Sequence, residues 1–289
     1  MSYRDDFAVF ILSHGRADNL ITVNTLKKQG YTGKIYILCD DEDKTLEEYK
    51  KKFGKSVLVF NKQDAIEFTD SADNTKKRNS VVYARNYVYK AAKEVGVKYI
   101  LVLDDDYTGF YNYFNEKKEY ITKNTTIKNL DGYIKTMLNF FIESKIDCLA
   151  MSQGGDFIGG EGGVVPKKHT KGKMSRKAMN AFFLDVDNPL YFFGRINEDV
   201  NMYVRYGQIG KKIFTYARCR LEQKTTQTNR GGLTDIYLDL GTYIKSFYSV
   251  MYAPSCVKLI KMGVKNKRIH HSIKWKNTTP MILDEKYKK

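Results

Sequence analysis

The segment running from Tyr99 through Ile100, Leu101, Val102 and Leu103 into Asp104, Asp105, Asp106 and Tyr107 constrains this chain more than any other. An apolar run rich in β-branched and aromatic residues ends abruptly in three consecutive carboxylates. Such a run reads as a buried, parallel strand with the acids at its carboxyl end. Open α/β sheets place their ligand crevice at that edge. Three adjacent acids repel one another, so a neutralising partner is expected there. Residues two apart on extended backbone point the same way, so Asp104 and Asp106 can share one divalent cation. Mg²⁺ or Mn²⁺ held by one or two carboxylates completes its shell with water and phosphate oxygens. The segment therefore predicts metal–phosphate chemistry, in common with nucleases and nucleotidyl transferases; the competing reading is a solvated acidic loop.

The first hundred residues alternate in type around this segment. Phe7 to Leu12, Lys34 to Cys39, Ser56 to Phe60 and Tyr99 to Leu103 read as strands. Asp18 to Gln29 and Ser80 to Val95 carry apolar residues at helical spacing, and a short helix runs through Lys52. Strands separated by helical crossovers imply a parallel sheet with right-handed connections. The second half is less regular. It predicts helices over Thr126–Ser144, Asp199–Gln208 and Leu233–Met251, and strands over Cys148–Ser152, Ala181–Val186 and Lys212–Ala217. A loop with six glycines between Gly154 and Gly163 separates them, and residues 223–232 read as a polar turn. The expectation is one α/β domain over residues 1–289, with a nucleotide-binding half (1–106) and an irregular, basic, acceptor-binding half (107–289).

Charge divides the chain at the same place. Residues 1–106 carry 18 Lys and Arg against 17 Asp and Glu, whereas residues 107–289 carry 31 against 16. Lys167–Lys177 and Lys258–Lys276 contain no acid at all. That asymmetry points to a polyanion docking on the second half; a general bias toward lysine, which supplies 38 of the 49 basic residues, is the competing explanation. No apolar run approaches the ~18 residues of a membrane span. Phe7–Leu12 is too short for a secretory signal, and four scattered cysteines show neither metal-finger spacing nor disulfide density. A reducing cytoplasm is the expected compartment.

Several other groups carry chemistry. Ser13, His14 and Arg16 follow the first strand directly, where backbone amides, a helix N-terminus and Arg16 suit a phosphate or base. Asp40 and Asp41 end the second strand and can accept hydrogen bonds from a uracil NH or ribose hydroxyls. Arg85, beside Asn86, can bridge to the triple-Asp carboxylates or to a diphosphate. Glu198 and Asp199 sit at a helix start, as caps or as a general base for an acceptor hydroxyl. His270 or His271 can complete a metal shell or touch a phosphate.

In this order the pieces resemble the GT-A glycosyltransferases: the Ser13–Arg16 turn, Asp40 and Asp41, Arg85-Asn86, Asp-x-Asp at 104–106, Asn197-Glu198-Asp199, then a late histidine. Within them, the stretches Asn180–Leu190, Gly194–Val200 and Thr226–Gly232 are most similar to the TET/JBP-associated glycosyltransferases of bacteriophages. That resemblance implies transfer from a UDP-sugar, UDP-glucose or a related hexose, to a hydroxymethylated pyrimidine such as 5-hydroxymethylcytosine in double-stranded DNA, in the host cytoplasm. It implies Asp104 and Asp106 as the Mn²⁺ or Mg²⁺ and diphosphate site, with Asp105 near the donor ribose or sugar. Glu198 or Asp199 becomes the acceptor-side carboxylate, and His270 or His271 a further metal ligand. If transfer inverts the anomeric centre, that carboxylate takes the hydroxyl proton; if it retains, the carboxylate orients the acceptor or stabilises charge on the sugar. Two basic clusters are expected to grip DNA phosphates: Lys167, Lys168, Lys171, Lys173 and Arg176, and Lys265, Lys267, Arg268, Lys274 and Lys276. The alternatives are a glycan or protein acceptor, or a non-catalytic nucleic-acid-binding protein.

Overall fold

All six residues of strand β1 (Phe7–Leu12) are buried, because the sheet around it is covered on both faces. Alternate side chains enter two separate cores: Ala8, Phe10 and Leu12 on one face, Phe7, Val9 and Ile11 on the other. This is why the run reads as continuously apolar. A computed structural model describes residues 3–74, 78–224, 237–238, 241, 243–263 and 268–280, with Asn124 by its backbone alone.

The sheet has nine strands in the order β3-β2-β1-β4-β8-β7-β9-β5-β6. β2 (Ile35–Asp40), β3 (Val57–Phe60) and β4 (Tyr99–Asp104) run parallel to β1 as expected, and Leu12 lies opposite Asp104. Helix α1 (Ile21–Lys28) and α2 (Leu46–Phe53) connect β1, β2 and β3 in turn, and α3 (Lys62–Glu67) and α4 (Val82–Glu94) lie between β3 and β4. The carboxyl ends of β1, β2 and β4 therefore share one edge.

The second half extends this same sheet and is more regular than its sequence suggests. β7 (Cys148–Gln153) and β8 (Ala181–Asp185) pair antiparallel with each other, and β8 pairs antiparallel with β4. β9 (Ile213–Gln223) is parallel to β7 and outruns the expected Lys212–Ala217 strand. Its register jumps between Met151 and Ser152, where the Ser152 hydroxyl donates to the Cys219 carbonyl at 3.1 Å. Two strands not anticipated, β5 (Tyr107–Phe114) and β6 (Tyr120–Thr126), form an antiparallel hairpin at the far edge. Their aromatic and polar residues alternate too weakly to show a period of two. α5 is Leu130–Glu143, so the expected helix start at Thr126 belongs to β6. α6 (Val164–Thr170) follows the glycine-rich loop, and α7 (Glu198–Gln208) follows β8. α8 (Ile244–Tyr252) is packed against a separate hairpin of β10 (Val257–Met262) and β11 (Arg268–Ile273) that the sequence did not announce. Thr226–Gly232 and the chain beyond 280 lie outside the described residues. Among the described residues no helix is long and apolar enough to cross a membrane.

The buried Gln29 side chain ties the end of α1 to the unexpected hairpin. Its amide nitrogen donates to the Phe110 and Ile127 carbonyls at 2.8 and 2.6 Å, and its oxygen accepts the Phe110 amide at 2.8 Å. Gln29→Ala would leave the Phe110 amide and the Ile127 carbonyl without this partner, while the Phe110 carbonyl keeps the Ile127 amide at 3.0 Å; each loss costs roughly 1–3 kcal/mol before relaxation. We expect a net loss of about 2–4 kcal/mol in urea denaturation; a loss below about 0.5 kcal/mol would show the hairpin is held by other contacts.

Candidate active site

Arg85 projects from α4 into the space between β4 and α7 and is only 2% exposed. Its guanidinium lies over the Phe182 and Phe192 rings, 5.0 and 5.4 Å from their centroids. Nη2 donates to Asp104 at 3.0 Å, and Nε stands 3.4 Å from Glu198. The next turn of α4 fixes the chain that carries Glu198. Asn86 exchanges hydrogen bonds with the Phe192 backbone (2.7 and 3.0 Å), and Tyr89 bonds to both backbone groups of Leu190. Arg85 and Asn86, adjacent in sequence, thus position the triple-Asp acids and the Glu198 segment together.

The triple-Asp turn is pinned from α1. Thr22 donates to the Asp104 carbonyl at 2.7 Å, and its hydroxyl accepts the Tyr107 amide at 2.9 Å. Asp105 is buried and held by Ser13 and by Arg16, each at 2.5 Å. Tyr49 completes that corner, bonding to the Ser13 hydroxyl at 2.7 Å and accepting the Arg16 amide at 2.9 Å. Asp40 takes His14 at 2.6 Å and the buried Lys62 ammonium at 3.2 Å. Asp41, beside it, accepts the Asn61 side chain and the Lys62 amide, which places it at the start of α3. Ser13, His14, Arg16, Asp40, Asp104 and Asp105 therefore meet along one edge. Thr22, Tyr49, Lys62 and Asp43, which accepts the Gly15 amide at 2.7 Å, are the residues the sequence did not single out; only Tyr49, an aromatic flanked by the charges of α2, carries a signal.

Electrostatics in this pocket run against the acids. Burial, reinforced by Asp104 and Asp105, pushes the Asp106 carboxyl up to about 7. Burial also raises Asp104, with Arg85 opposing and Asp105 and Asp199 adding to the rise. Glu198 is pushed up to about 7, mainly by burial, against the pull of Arg85. Asp199 is raised by burial while Arg85, the Val200 amide, Lys177 and Lys245 oppose. At the other end burial works against the Asp40 charge, but His14 and Lys62 together hold it below the usual carboxylate range. The His14 imidazole is raised by its hydrogen bond to Asp40.

Asn197 adopts a left-handed conformation, φ +60°, and turns the chain into α7 without capping it. Its side chain donates to Ser249 at 2.7 Å and lies 3.3 Å from His271 Nδ1. Asp199 accepts the Val200 amide at 2.7 Å. His271 is thus brought beside the Glu198–Asp199 turn, and burial, His270, Lys245 and Lys177 pull its imidazole down to about 3. His270 Nδ1 bonds instead to the His271 carbonyl. Among the described residues no group of three or more His, Cys, Asp or Glu is arranged to hold a metal ion. The histidines and the Asp104–Asp106 pair are therefore not assembled as one ligand set. The carboxylates alone still fit a cation that draws its remaining ligands from a diphosphate, because their crowding has too little positive charge to offset it.

Of the basic clusters, Lys167, Lys171, Lys173, Arg268, Lys274 and Lys276 are exposed and Lys168 is half-buried. Arg176 is engaged otherwise: it donates to the Trp275 and Thr278 carbonyls and lies over the Trp275 ring. Lys265 and Lys267 lie outside the described residues.

The class of protein to which this edge belongs is given by comparison: it is a glycosyltransferase. Residues 7–232 match the TET-Associated Glycosyltransferase family, and the chain belongs to that family. Similar solved structures include Mycobacterium tuberculosis glucosyl-3-phosphoglycerate synthase in complex with Mn²⁺ and UDP-glucose (8% identity, 92% of this chain and 86% of that one, TM-score 0.49). Others are the Pyrobaculum calidifontis mannosyltransferase PcManGT with GDP-Man and Mn²⁺ (9%, 78% and 59%, TM-score 0.48) and S. aureus TarS (16%, 74% and 36%, TM-score 0.41). No curated protein matches the chain.

The pH response of this pocket follows from Arg85. Arg85→Met keeps the packing between the phenylalanines but leaves buried acids unneutralised, a loss of roughly 3–5 kcal/mol at neutral pH. Carboxyls raised by folding bind protons more tightly in the native chain, so their contribution is fullest below the unfolded value and is lost as pH rises through about 7. The destabilisation should therefore be larger at pH 8 than at pH 5.5 in parallel denaturation curves. Equal losses at both would assign the effect to packing alone.

Proposed function

We propose that this chain transfers a sugar from a UDP-sugar, UDP-glucose or a related hexose, to a hydroxymethylated pyrimidine in double-stranded DNA. The observation that carries the reading is the Arg85 bridge, which sets the donor-side Asp104 and the acceptor-side Glu198 around one buried cation. His14, Asp40 and Lys62 offer donors and acceptors to the base and ribose, while Ser13 and Arg16 hold Asp105 toward the sugar. Mn²⁺ or Mg²⁺ at Asp104 and Asp106 would offset the charge of the departing diphosphate. Glu198, with its carboxyl pushed up to about 7, is matched to taking a hydroxyl proton near neutral pH; Asp199 beside it is the second candidate. The DNA acceptor is supported by the family's TET association and by the concentration of positive charge after residue 106.

Mass spectrometry of nucleosides from hydroxymethylated DNA, incubated with the protein, metal and a panel of nucleotide sugars, tests donor and acceptor together. A hexose on the modified base is expected. Donor turnover only on a glycan or protein acceptor would replace the DNA reading.

Three variants test the assigned groups. Asp106→Asn should abolish transfer, as should excess chelator, with the circular dichroism spectrum unchanged; full activity in either case would remove the metal. Glu198→Gln or Asp199→Asn should lower turnover by roughly 10²–10⁴-fold while donor affinity stays within a few-fold. Equal loss of donor affinity would place the carboxylate on the donor side.

A further inference from the structure

A cleft of about 230 Å³ opens between the turn of the β5–β6 hairpin, α5 and the chain after α6. Lys118, His169, Lys173 and Arg218 line it together with Phe140 and Tyr216, and no acid does. Among the described residues none of these four basic groups is paired with a carboxylate. Arg218 reaches only a backbone carbonyl, that of Asn115, at 3.2 Å. Its Nε and the His169 Nε2 are buried without a hydrogen-bond partner among the described residues. His169 is held in place by its ring contact with Phe114, centroids 3.9 Å apart. Burial, Arg218 and Lys118 all push the His169 imidazole toward its neutral form, as expected where cations converge without a counter-ion. Lys118 stands at φ +66°, an uncommon conformation for a lysine. Of these, His169 and Lys173 fall within the Lys167–Lys177 run visible in the sequence, whereas Lys118 and Arg218 come from elsewhere in the chain.

We propose that this cleft seats one backbone phosphate and its deoxyribose from the acceptor DNA, with Lys118, Lys173 and Arg218 as phosphate ligands and Phe140 and Tyr216 against the sugar. The assignment rests on the DNA-acceptor reading above. Its volume lies below the ~300–1,000 Å³ of pockets that enclose whole small molecules, which suits a fragment of a longer chain. Ser175 lines the cleft, and Lys177, two residues later, opposes the charge shift of Asp199. The chain lining the cleft thus runs on to a lysine whose charge is felt at Asp199.

The test compares the wild type with a Lys118→Asn/Lys173→Gln double variant and a Lys27→Gln/Lys28→Gln control on α1. Asparagine is chosen at 118 because it tolerates the left-handed backbone there, and both cleft lysines are exposed, so melting temperatures should agree. Affinity for a hydroxymethylated duplex is measured by fluorescence anisotropy across a salt series. The double variant should bind more weakly, with a log–log salt slope shallower by about one unit for the one phosphate released; the control should match the wild type. If the wild type glycosylates DNA while the double variant keeps its affinity and slope, the cleft assignment alone falls. If the wild type neither binds nor glycosylates DNA, the acceptor reading falls and takes the cleft assignment with it. Inorganic phosphate that binds the wild type but not the double variant, with DNA affinity unchanged between them, would give the cleft to a free anion and overturn the proposal.

Discussion

The buried guanidinium of Arg85 is the interaction on which the rest of this site depends. A cation 2% exposed survives only if anions and hydrogen bonds replace its water. Here Asp104 and Glu198 supply the counter-charge, and Phe182 and Phe192 pack on the flat faces of the group. One residue therefore connects α4, the end of β4 and the first turn of α7. The arrangement is mutual: without the acids the arginine is stranded, and without the arginine the acids repel.

The fold sets the remaining geometry by register. Because β1, β2 and β4 are parallel and neighbouring, the residues that follow their carboxyl ends emerge on one edge. Ser13, Asp40 and Asp105 reach this edge from separate parts of the chain. Hydrogen bonds of 2.5 to 3.2 Å then link them into two groups, Ser13–Arg16–Tyr49–Asp105 and His14–Asp40–Lys62. Rigid elements and satisfied polar partners hold these side chains in one arrangement.

The second half contributes differently. Its β8, β7 and β9 continue the sheet, so the Glu198–Asp199 turn is carried by the same framework as the triple-Asp edge. The β10–β11 hairpin, packed against α8, carries His271 to Asn197 at the start of α7. The positive charge of this half is divided in use. Arg176 and Arg220 are occupied within the chain, Arg220 with Glu222, while exposed lysines and the cations around Arg218 pair with no carboxylate among the described residues.

Much of the α/β framework was legible from residue pattern. A strand buried on both faces must be apolar throughout, so β1 and β4 announced themselves, and β4 named its own edge by ending in three acids. Arg85, Glu198 and Asp199 were legible as chemistry, because polar residues at a helix start need a reason. The partnership between them was not, since it joins positions more than a hundred residues apart. β5 and β6 escaped because their aromatic and polar residues do not alternate cleanly, and the β10–β11 hairpin because its exposed lysines hide the period of two. The sequence by itself determined the class of fold, the acidic edge and the basic half. Only the tertiary structure decided that Asp41 serves the start of α3, that Arg176 is spent on backbone carbonyls, and that Lys118, His169 and Arg218 converge. Those outcomes depend on which surfaces meet when the sheet closes, and contact between distant segments leaves no periodic trace along the chain.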